Sequence, residues 1–407
     1  MKTLFKTYSL ILITFLITSC GGDDSVVIGE ENNDSSSYTL SGTYSESKTL
    51  SAENIWTLKG RVTFTSGATL TIPAGTIIKA EGGTGTNASS LIIAGGAKID
   101  AQGTASNPIV MTSIADNVEV DQKFGTNLSE NNRGLWGGLL ILGNAPCSLE
   151  NDVTQVQIEG IPATDTNGRY GGSNATDNSG VLKYVSIRHG GALIGDGNEI
   201  NGLTLGGVGS GTVIENIEVI GNVDDGIEFF GGTVNASNLL VWAQGDDGLD
   251  IDQGYSGTID NAMVIAGDVS DHGLEIDGPE GAAEGSFILK NVTLIGSEVA
   301  ADGEYADYRS NAMGTSENIF AYGFQSGKDV ELDNDGVATN FNSGKLNFAS
   351  WQIIAPAGVT VAGIFQNKAE TVTVSNFGDF ATLVTTGTVG ANAADFAWTY
   401  AKEKEAY

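Results

Sequence analysis

The sequence predicts an all-β fold, a right-handed parallel β-helix with three short strands per coil, in a single elongated domain. A glycine followed by an apolar–x–apolar strand recurs at intervals of 22 to 25 residues, at Gly202, Gly226, Gly248 and Gly273. Helical periodicity is absent from the same region. A propeller blade needs about 40 residues, so the shorter period favours a coil that stacks on copies of itself.

Each coil also contains a strand that begins at an asparagine. These asparagines are Asn216, Asn238, Asn261, Asn291 and Asn318. A shorter third strand precedes each of them, for example "TVIE" before the first. Coils of a β-helix stack about 4.8 Å apart, so the side-chain amides of successive asparagines come within hydrogen-bonding reach. We therefore predict a structural asparagine ladder.

The N-terminus has the features of a lipoprotein signal peptide, which we assign to residues 1–19. Lys2 and Lys6 precede an apolar run that is too short to span a membrane. The run ends in "ITSC", which resembles the lipobox of bacterial lipoproteins. The resemblance implies cleavage before Cys20 and lipidation of that residue, so that the protein contacts the membrane through a lipid anchor only.

The segment after Cys20 resembles a surface-export signal. Asp23 and Asp24 form an acidic pair, as in surface lipoproteins of Bacteroidota, which implies a position on the outer membrane that faces the extracellular side. The next residues are rich in Ser, Asp, Glu and Asn without a period, as in a flexible tether. The predicted parts are a lipidated cysteine and flexible acidic tether at 20–48, a β-helix domain at 49–407, its first coils at 49–145 and its C-terminal cap at about 350–407.

Charge and cysteine content restrict the partners. The chain has 19 basic and 50 acidic residues and a net charge of −31, which repels nucleic acid and anionic membranes. Once Cys20 is lipidated, Cys147 has no partner for an intramolecular disulfide. We expect a monomer whose partner is an extracellular polysaccharide or a surface protein.

Three sequence blocks point to a family. "NEINGLTLGGVGSGT", "DDGIEFFGGTVN" and "GDDGLDIDQGY" resemble the pectin-lyase-like β-helix lipoproteins of the outer membrane, of Bacteroidota type. The resemblance extends over roughly residues 50–400. It implies the fold and the location, but no reaction, because the members of that group are mostly uncharacterised.

Acidic residues recur on the outward positions of the glycine-led strands. One outward column contains Thr204, Glu228, Asp250, Glu275 and Glu331, and the next contains Gly206, Phe230, Asp252, Asp277 and Asp333. The turn before each strand adds further aspartates. Ca²⁺ takes six to eight oxygen ligands, largely from such residues. The candidate Ca²⁺ ligands are Asp225, Glu228, Asp247, Asp250, Asp252, Glu275 and Asp277.

Three interpretations of the acidic columns remain open: solvated acids, a Ca²⁺ site, or a catalytic pair. Retaining glycosidases place two carboxyl groups about 5–5.5 Å apart, a spacing that any acidic column in a β-helix produces. A catalytic site would use Asp250 and Glu275, with Arg188 and His272 as neighbouring basic groups. We expect no catalysis, because strand faces of a β-helix are open and wet and because basic residues are few.

The asparagine-led strands carry an apolar column on their outward positions, which includes Trp242 and Tyr322, with Phe320 in the neighbouring column. A solvent-facing sheet does not normally expose this much apolar surface. Either long inserts or the C-terminal segment "ADFAWTYAKEKEAY" cover the column, or these three residues bind a ligand. Open aromatic rings would suit sugar rings or a protein partner.

The sequence thus supports three functions. We favour a non-enzymatic surface lipoprotein that binds an extracellular polysaccharide or partner protein, with Ca²⁺ as a cofactor. The alternatives are a polysaccharide lyase or glycoside hydrolase that uses the acidic columns, and a purely structural component of the cell surface.

Overall fold

The protein is a parallel β-helix, as the sequence predicts, in a computed structural model that describes residues 38–193 and 200–407. Its 24-stranded sheet winds into three ladders of parallel strands. Ladder A holds the glycine-led strands, ladder B the short strands that precede each asparagine, and ladder C the asparagine-led strands. Among the described residues, no helix has the length and hydropathy that a membrane span requires.

The first coils are built from strands β1 (Thr39–Tyr44), β2 (Lys48–Thr49), β3 (Ile55–Phe64), β4 (Thr69–Pro73), β5 (Ile77–Ala80), β6 (Ser90–Ile93), β7 (Lys98–Gln102) and β8 (Ile109–Ser113). Ladder A continues through β9 (Leu139–Leu142), β13 (Leu203–Gly206), β15 (Ile227–Phe230), β17 (Leu249–Asp252), β19 (His272–Ile276), β21 (Glu304–Tyr308), β23 (Val330–Leu332) and β25 (Phe365–Asn367).

Ladders B and C share long strands that bend between them. These are β12 (Gly180–Arg188), β14 (Val213–Ile220), β16 (Asn235–Trp242), β18 (Thr258–Ile265), β20 (Phe287–Ile295), β22 (Gly314–Tyr322) and β24 (Leu346–Ile354). The remaining elements are the antiparallel pair β10 (Val156–Gln157) and β11 (Arg169–Tyr170), strand β26 (Ala381–Leu383), and helices α1 (Asp335–Ser343), α2 (Val361–Ile364) and α3 (Tyr400–Glu403).

The asparagine ladder forms the corner between ladders B and C. All five predicted asparagines have φ between 57° and 64°, a left-handed conformation that asparagine tolerates better than most residues. Asn238 Nδ2 donates to Asn216 Oδ1 at 3.2 Å, and Asn261 Nδ2 donates to Asn238 Oδ1 at 2.6 Å. Asn291 instead donates to Asp260 Oδ1 at 2.7 Å. Because the corner needs both this backbone and these bonds, asparagine recurs in each coil.

The glycine column has a different physical cause. Gly226 and Gly248 do not have positive φ, but a Cβ on either would lie within 2.4 Å of a valine on the asparagine-led strand of the same coil. It would also lie within 2.7 Å of a backbone carbonyl of the next coil. In these two coils the residue before the strand therefore has to be small, so that the apolar residues after it, such as Ile227 and Leu249, can stack fully buried in the core.

The structure differs from the prediction at two domain boundaries, the start of the β-helix and the start of the C-terminal cap. Strand β1 pairs in parallel with β3, starting from Thr39 opposite Thr57, so the β-helix begins at Thr39 and the last part of the predicted tether belongs to it. Cys20 and the predicted signal peptide lie outside the described residues. At the other end, β24, β25 and β26 still stack as coils, so residues 350–383 are not a separate cap.

An aromatic cluster closes the C-terminal end of the core. Phe348 stacks on Phe380 with ring centroids 4.8 Å apart, and Trp351 meets Phe365 edge-on at 5.6 Å. Residues 384–407 then run back along ladder C, where Phe396 and Tyr400 are buried. The predicted cap is thus an aromatic plug followed by a strap over one face.

Candidate functional site

The acidic column of ladder A is continuous over five coils. Strand pairing places its members in one row: Glu228, Asp250, Glu275, Asp307 and Glu331. The sequence prediction omitted Asp307, because its coil has Tyr305 where other coils have the marker glycine. The remaining signal was the apolar–x–apolar pattern around Asp307 in "EYADY".

Four of these five carboxylates are buried and Glu331 is half-buried, contrary to the open, wet face that we expected. Glu228 is 5% exposed, Asp250 7% and Asp307 9%. An insert between β9 and β12 packs over the start of the column, where Tyr170 joins a buried apolar cluster with Phe230. At the start of the column, the carboxylates are therefore enclosed by the neighbouring coils and by this insert.

Asp225, Glu228 and Asp250 form the most enclosed part of the site. One carboxylate oxygen from each lies within 4.8 Å of the others. Burial raises the pKa of all three well above their usual range, and the neighbouring carboxylates raise it further. Asn201 Nδ2 donates to Glu228, whereas Asp250 Oδ1 is buried with no hydrogen-bond partner among the described residues. The arrangement supplies oxygen ligands and lacks a positive charge.

Two basic side chains neutralise the middle of the column. Arg309 donates to Asp277 Oδ2 from Nε at 2.9 Å and pairs with Glu275 through Nη2. His272 Nδ1 lies 2.8 Å from Asp247 Oδ1. Burial lowers the pKa of His272, but the hydrogen bond to Asp247 and the surrounding carboxylates outweigh it and bring the value to about 9. Three of the predicted Ca²⁺ ligands, at positions 247, 275 and 277, thus have cationic partners within the chain.

Asp252, the remaining predicted ligand, lies at the edge of the site. Burial raises its pKa to about 7, with further contributions from Asp277 and Glu280. Next to it, Gln253 accepts a hydrogen bond from Tyr170 Oη at 2.9 Å. The structure therefore gathers all seven predicted metal ligands on one face, but in different electrostatic settings.

Arg188 does not lie beside the acidic column of ladder A. It lies on ladder C, 2% exposed, where its guanidinium stacks between the rings of Phe124 and Tyr400 at 5.3 and 5.0 Å. Its Nε donates to Ser186 Oγ at 2.7 Å, and Nη2 lies 3.9 Å from Glu218 Oε2. Of the two basic groups that we considered for catalysis, the structure places only His272 beside the carboxylates.

The apolar column of ladder C is covered by the C-terminal segment. Trp242 is 9% exposed, and its ring centroid lies 6.2 Å from that of Tyr400. Phe320 and Tyr322 are half-buried, with centroids 5.1 Å apart, and a Cβ on Gly390 would lie 2.7 Å from Phe320. Around Trp242, the apolar column is therefore covered by the C-terminal segment and is not open to a ligand.

Comparison with known proteins assigns the fold family. A family model described as a pectate-lyase like beta helix domain matches residues 42–402. The chain belongs to this family. No curated protein matches the chain. A solved structure of the pectin methylesterase from Aspergillus niger matches with 10% identity over 82% of this chain and 87% of that chain. Its TM-score of 0.32 is too low to carry any inference about the site.

This pectate-lyase-like β-helix also has a polar groove on ladder B. Two adjoining cavities of about 430 and 420 Å³ share Ser237 and Asp260. Ser237 is a small residue in a column that otherwise carries Lys183 paired with Glu215 at 2.7 Å, and Lys290 paired with Asp260 at 3.3 Å. The groove could not be predicted from the sequence, because it arises where a short side chain interrupts a row of long ones.

Proposed function

We propose that the protein is a surface lipoprotein that binds an extracellular polysaccharide without cleaving it and holds Ca²⁺ on ladder A. The observation that carries the proposal is the burial of the acidic column, in which Glu228 and Asp250 are less than a tenth exposed. A metal ion fits among such carboxylates. A sugar ring, which is several times wider, does not reach them without displacing the residues that enclose them.

Catalysis fits this geometry poorly. Glycoside hydrolysis needs one protonated carboxyl within hydrogen-bonding reach of the glycosidic oxygen. Here Asp225, Glu228 and Asp250 all have raised pKa values, so none is singled out as the acid. A lyase needs a free base beside the substrate, and the guanidinium of Arg309 is already paired with two carboxylates.

The donor set at the enclosed end of the column suits Ca²⁺. It consists of carboxylate oxygens, and the buried Asn201 adds an amide oxygen that has no hydrogen-bond partner among the described residues. Hard oxygen ligands of this kind are those that Ca²⁺ prefers. A bound cation would supply the positive charge that Asp250 lacks, and would hold successive coils together.

A polysaccharide is best accommodated by the groove on ladder B. Its walls present carboxylates, amides and hydroxyls, including Asp260, Ser237 and Asn291, and these are partners for sugar hydroxyls. Relatives with the pectate-lyase-like fold are often carbohydrate-active. Phe320 and Tyr322 lie on the neighbouring ladder and remain candidates for sugar stacking.

The proposal is tested with a soluble fragment that begins at Tyr38, incubated with a panel of polysaccharides with and without EDTA. We expect retention on at least one insoluble polysaccharide, and neither new reducing ends nor unsaturated products. Asp250→Asn and Glu275→Gln should alter the cation dependence without removing any turnover. Cleavage by the wild type that is lost in either variant would replace the proposal with the enzymatic alternative.

A further inference from the structure

We propose that ladder A holds a second divalent-cation site, formed by Asp307, Glu331 and Asp333, apart from the one at Asp225, Glu228 and Asp250. One carboxylate oxygen from each of the three residues lies within 4.8 Å of the others. The inference goes beyond the proposed function, because it concerns cation binding that can be measured without any polysaccharide.

Asp307 is the residue that points to a ligand. It is 9% exposed, and its Oδ1 is buried with no hydrogen-bond partner among the described residues. Strand pairing places it between Glu275 and Glu331 in the acidic column. A buried carboxylate oxygen without a donor costs free energy, and burial raises the pKa of Asp307 to about 7 although the charge of His272 acts in the opposite direction. A cation at this position would remove that cost.

The two sites have separate ligands. Arg309 pairs with Glu275, and His272 with Asp247, so positive charges of the chain occupy the middle of the column. Asp250 and Asp307 are two coils apart, or roughly 10 Å at the spacing of stacked strands. At that distance the two clusters share no carboxylate, so each can hold a cation with its own ligands.

Lys368 defines the boundary of the second site. Its Nζ lies 3.0 Å from Glu331 Oε1 and 3.1 Å from Asp329 Oδ2. This ammonium thus pairs with two carboxylates of the neighbouring cluster, which consists of Glu304, Asp329 and Glu331. Glu331 is thus shared with Lys368, whereas Asp307 and Asp333 form no salt bridge among the described residues and remain for the metal ion.

The ligand types identify the class of ion. The three ligands are carboxylates, and neither histidine nor cysteine belongs to the cluster, which favours a hard cation such as Ca²⁺ over Zn²⁺. Asp333 is exposed, so water molecules can complete the coordination shell on that side.

The experiment is a calorimetric titration of the full-length purified protein with Ca²⁺ in metal-free buffer. We expect two ions per chain for the wild type, one for Asp307→Asn, one for Asp250→Asn and none for the double variant. Glu317→Gln, which changes a carboxylate of ladder B, should still bind two ions. Near-ultraviolet circular dichroism of each variant checks that the fold is intact.

A second variant tests the site without removing a ligand. Lys368→Met takes away a positive charge beside Glu331, so Ca²⁺ should bind the second site more tightly, by a factor of about two or more. Unchanged stoichiometry in Asp307→Asn overturns the second site. A single wild-type ion that Asp250→Asn removes also overturns it, but leaves the proposed function intact. If no ion binds, both cation sites fail, while polysaccharide retention still tests the remainder of the proposed function.

Discussion

Glu218 Oε1 accepts the backbone N–H of Ala401 at 2.9 Å, a contact between residues 183 positions apart in the sequence. Glu218 is fully buried on ladder C, where Ser186 Oγ also donates to it at 2.5 Å. Arg188 lies beside this pair. The contact fixes the start of α3 over the apolar column, so that Tyr400 covers Trp242.

Replacing Glu218 with Gln should destabilise the protein by about 3 kcal/mol, because it leaves Arg188 buried without its counter-charge. The measurement is urea denaturation followed by tryptophan fluorescence. Glu215→Gln is the matched control, since its partly exposed ion pair with Lys183 is worth at most about 1 kcal/mol. Equal effects of the two substitutions would contradict a special role for Glu218.

The asparagine ladder predicts which of two variants of Asn238 is the more stable. Asn238→Ala loses two side-chain hydrogen bonds and keeps the left-handed φ of 57°, so we expect a loss of about 3 kcal/mol. Asn238→Gly loses the same bonds but tolerates the backbone, and should cost about 1 kcal/mol less. Thermal unfolding of both proteins measures the difference. A glycine variant less stable than the alanine variant would show that backbone strain is not the cause.

Stability in the absence of cations should fall as the pH rises. Burial raises the pKa of Asp252 and Asp307 to about 7, above the value of about 3.9 for an unfolded aspartate. Their protonated forms stabilise the fold fully below pH about 4, and this contribution is lost as the pH passes about 7. In EDTA, the melting temperature should be lower at pH about 8 than at pH about 5. A rise over this interval would show that these carboxyls are ionised in the folded state.

Ca²⁺ should stabilise the folded protein and cancel much of that pH dependence. A cation that binds only the folded state adds about 2.7 kcal/mol at a hundred times its dissociation constant. The melting temperature in millimolar Ca²⁺ should therefore exceed that in EDTA, and Asp250→Asn should reduce the difference. Glu317→Gln is the control that should preserve it. Identical melting curves with Ca²⁺ and EDTA count against cation binding.

The proposed lipid anchor can be tested in cells. Cys20→Ala should release the protein from the membrane fraction, because the lipid would be its membrane contact. Replacing both Asp23 and Asp24 with Ala should leave the protein in the membrane but reduce its cleavage by external protease on intact cells. If the double variant is still fully cleaved, the acidic pair is not the surface signal.

Much of the site could be predicted from the sequence, because the coils repeat. Once Gly226 and Gly248 set the register, alternation along each strand put Glu228 and Asp250 in one column. Asp307 was not predicted as a member of the column, because Tyr305 replaces the marker glycine in its coil. The basic side chains that pair with the acidic column could not be predicted, since they depend on which side chains the turns bring close.

The sequence by itself determined the parallel β-helix, the asparagine ladder and the existence of an acidic face, because each depends on a repeated local pattern that stacking turns into a column. Only the tertiary structure decided which columns are buried and which acids are neutralised. Those outcomes depend on single, non-repeated contacts between distant segments, such as Ala401 on Glu218 and Tyr170 beside Phe230. Arg309 on Asp277 is a further contact of this kind. A period in the sequence carries no information about contacts that occur once.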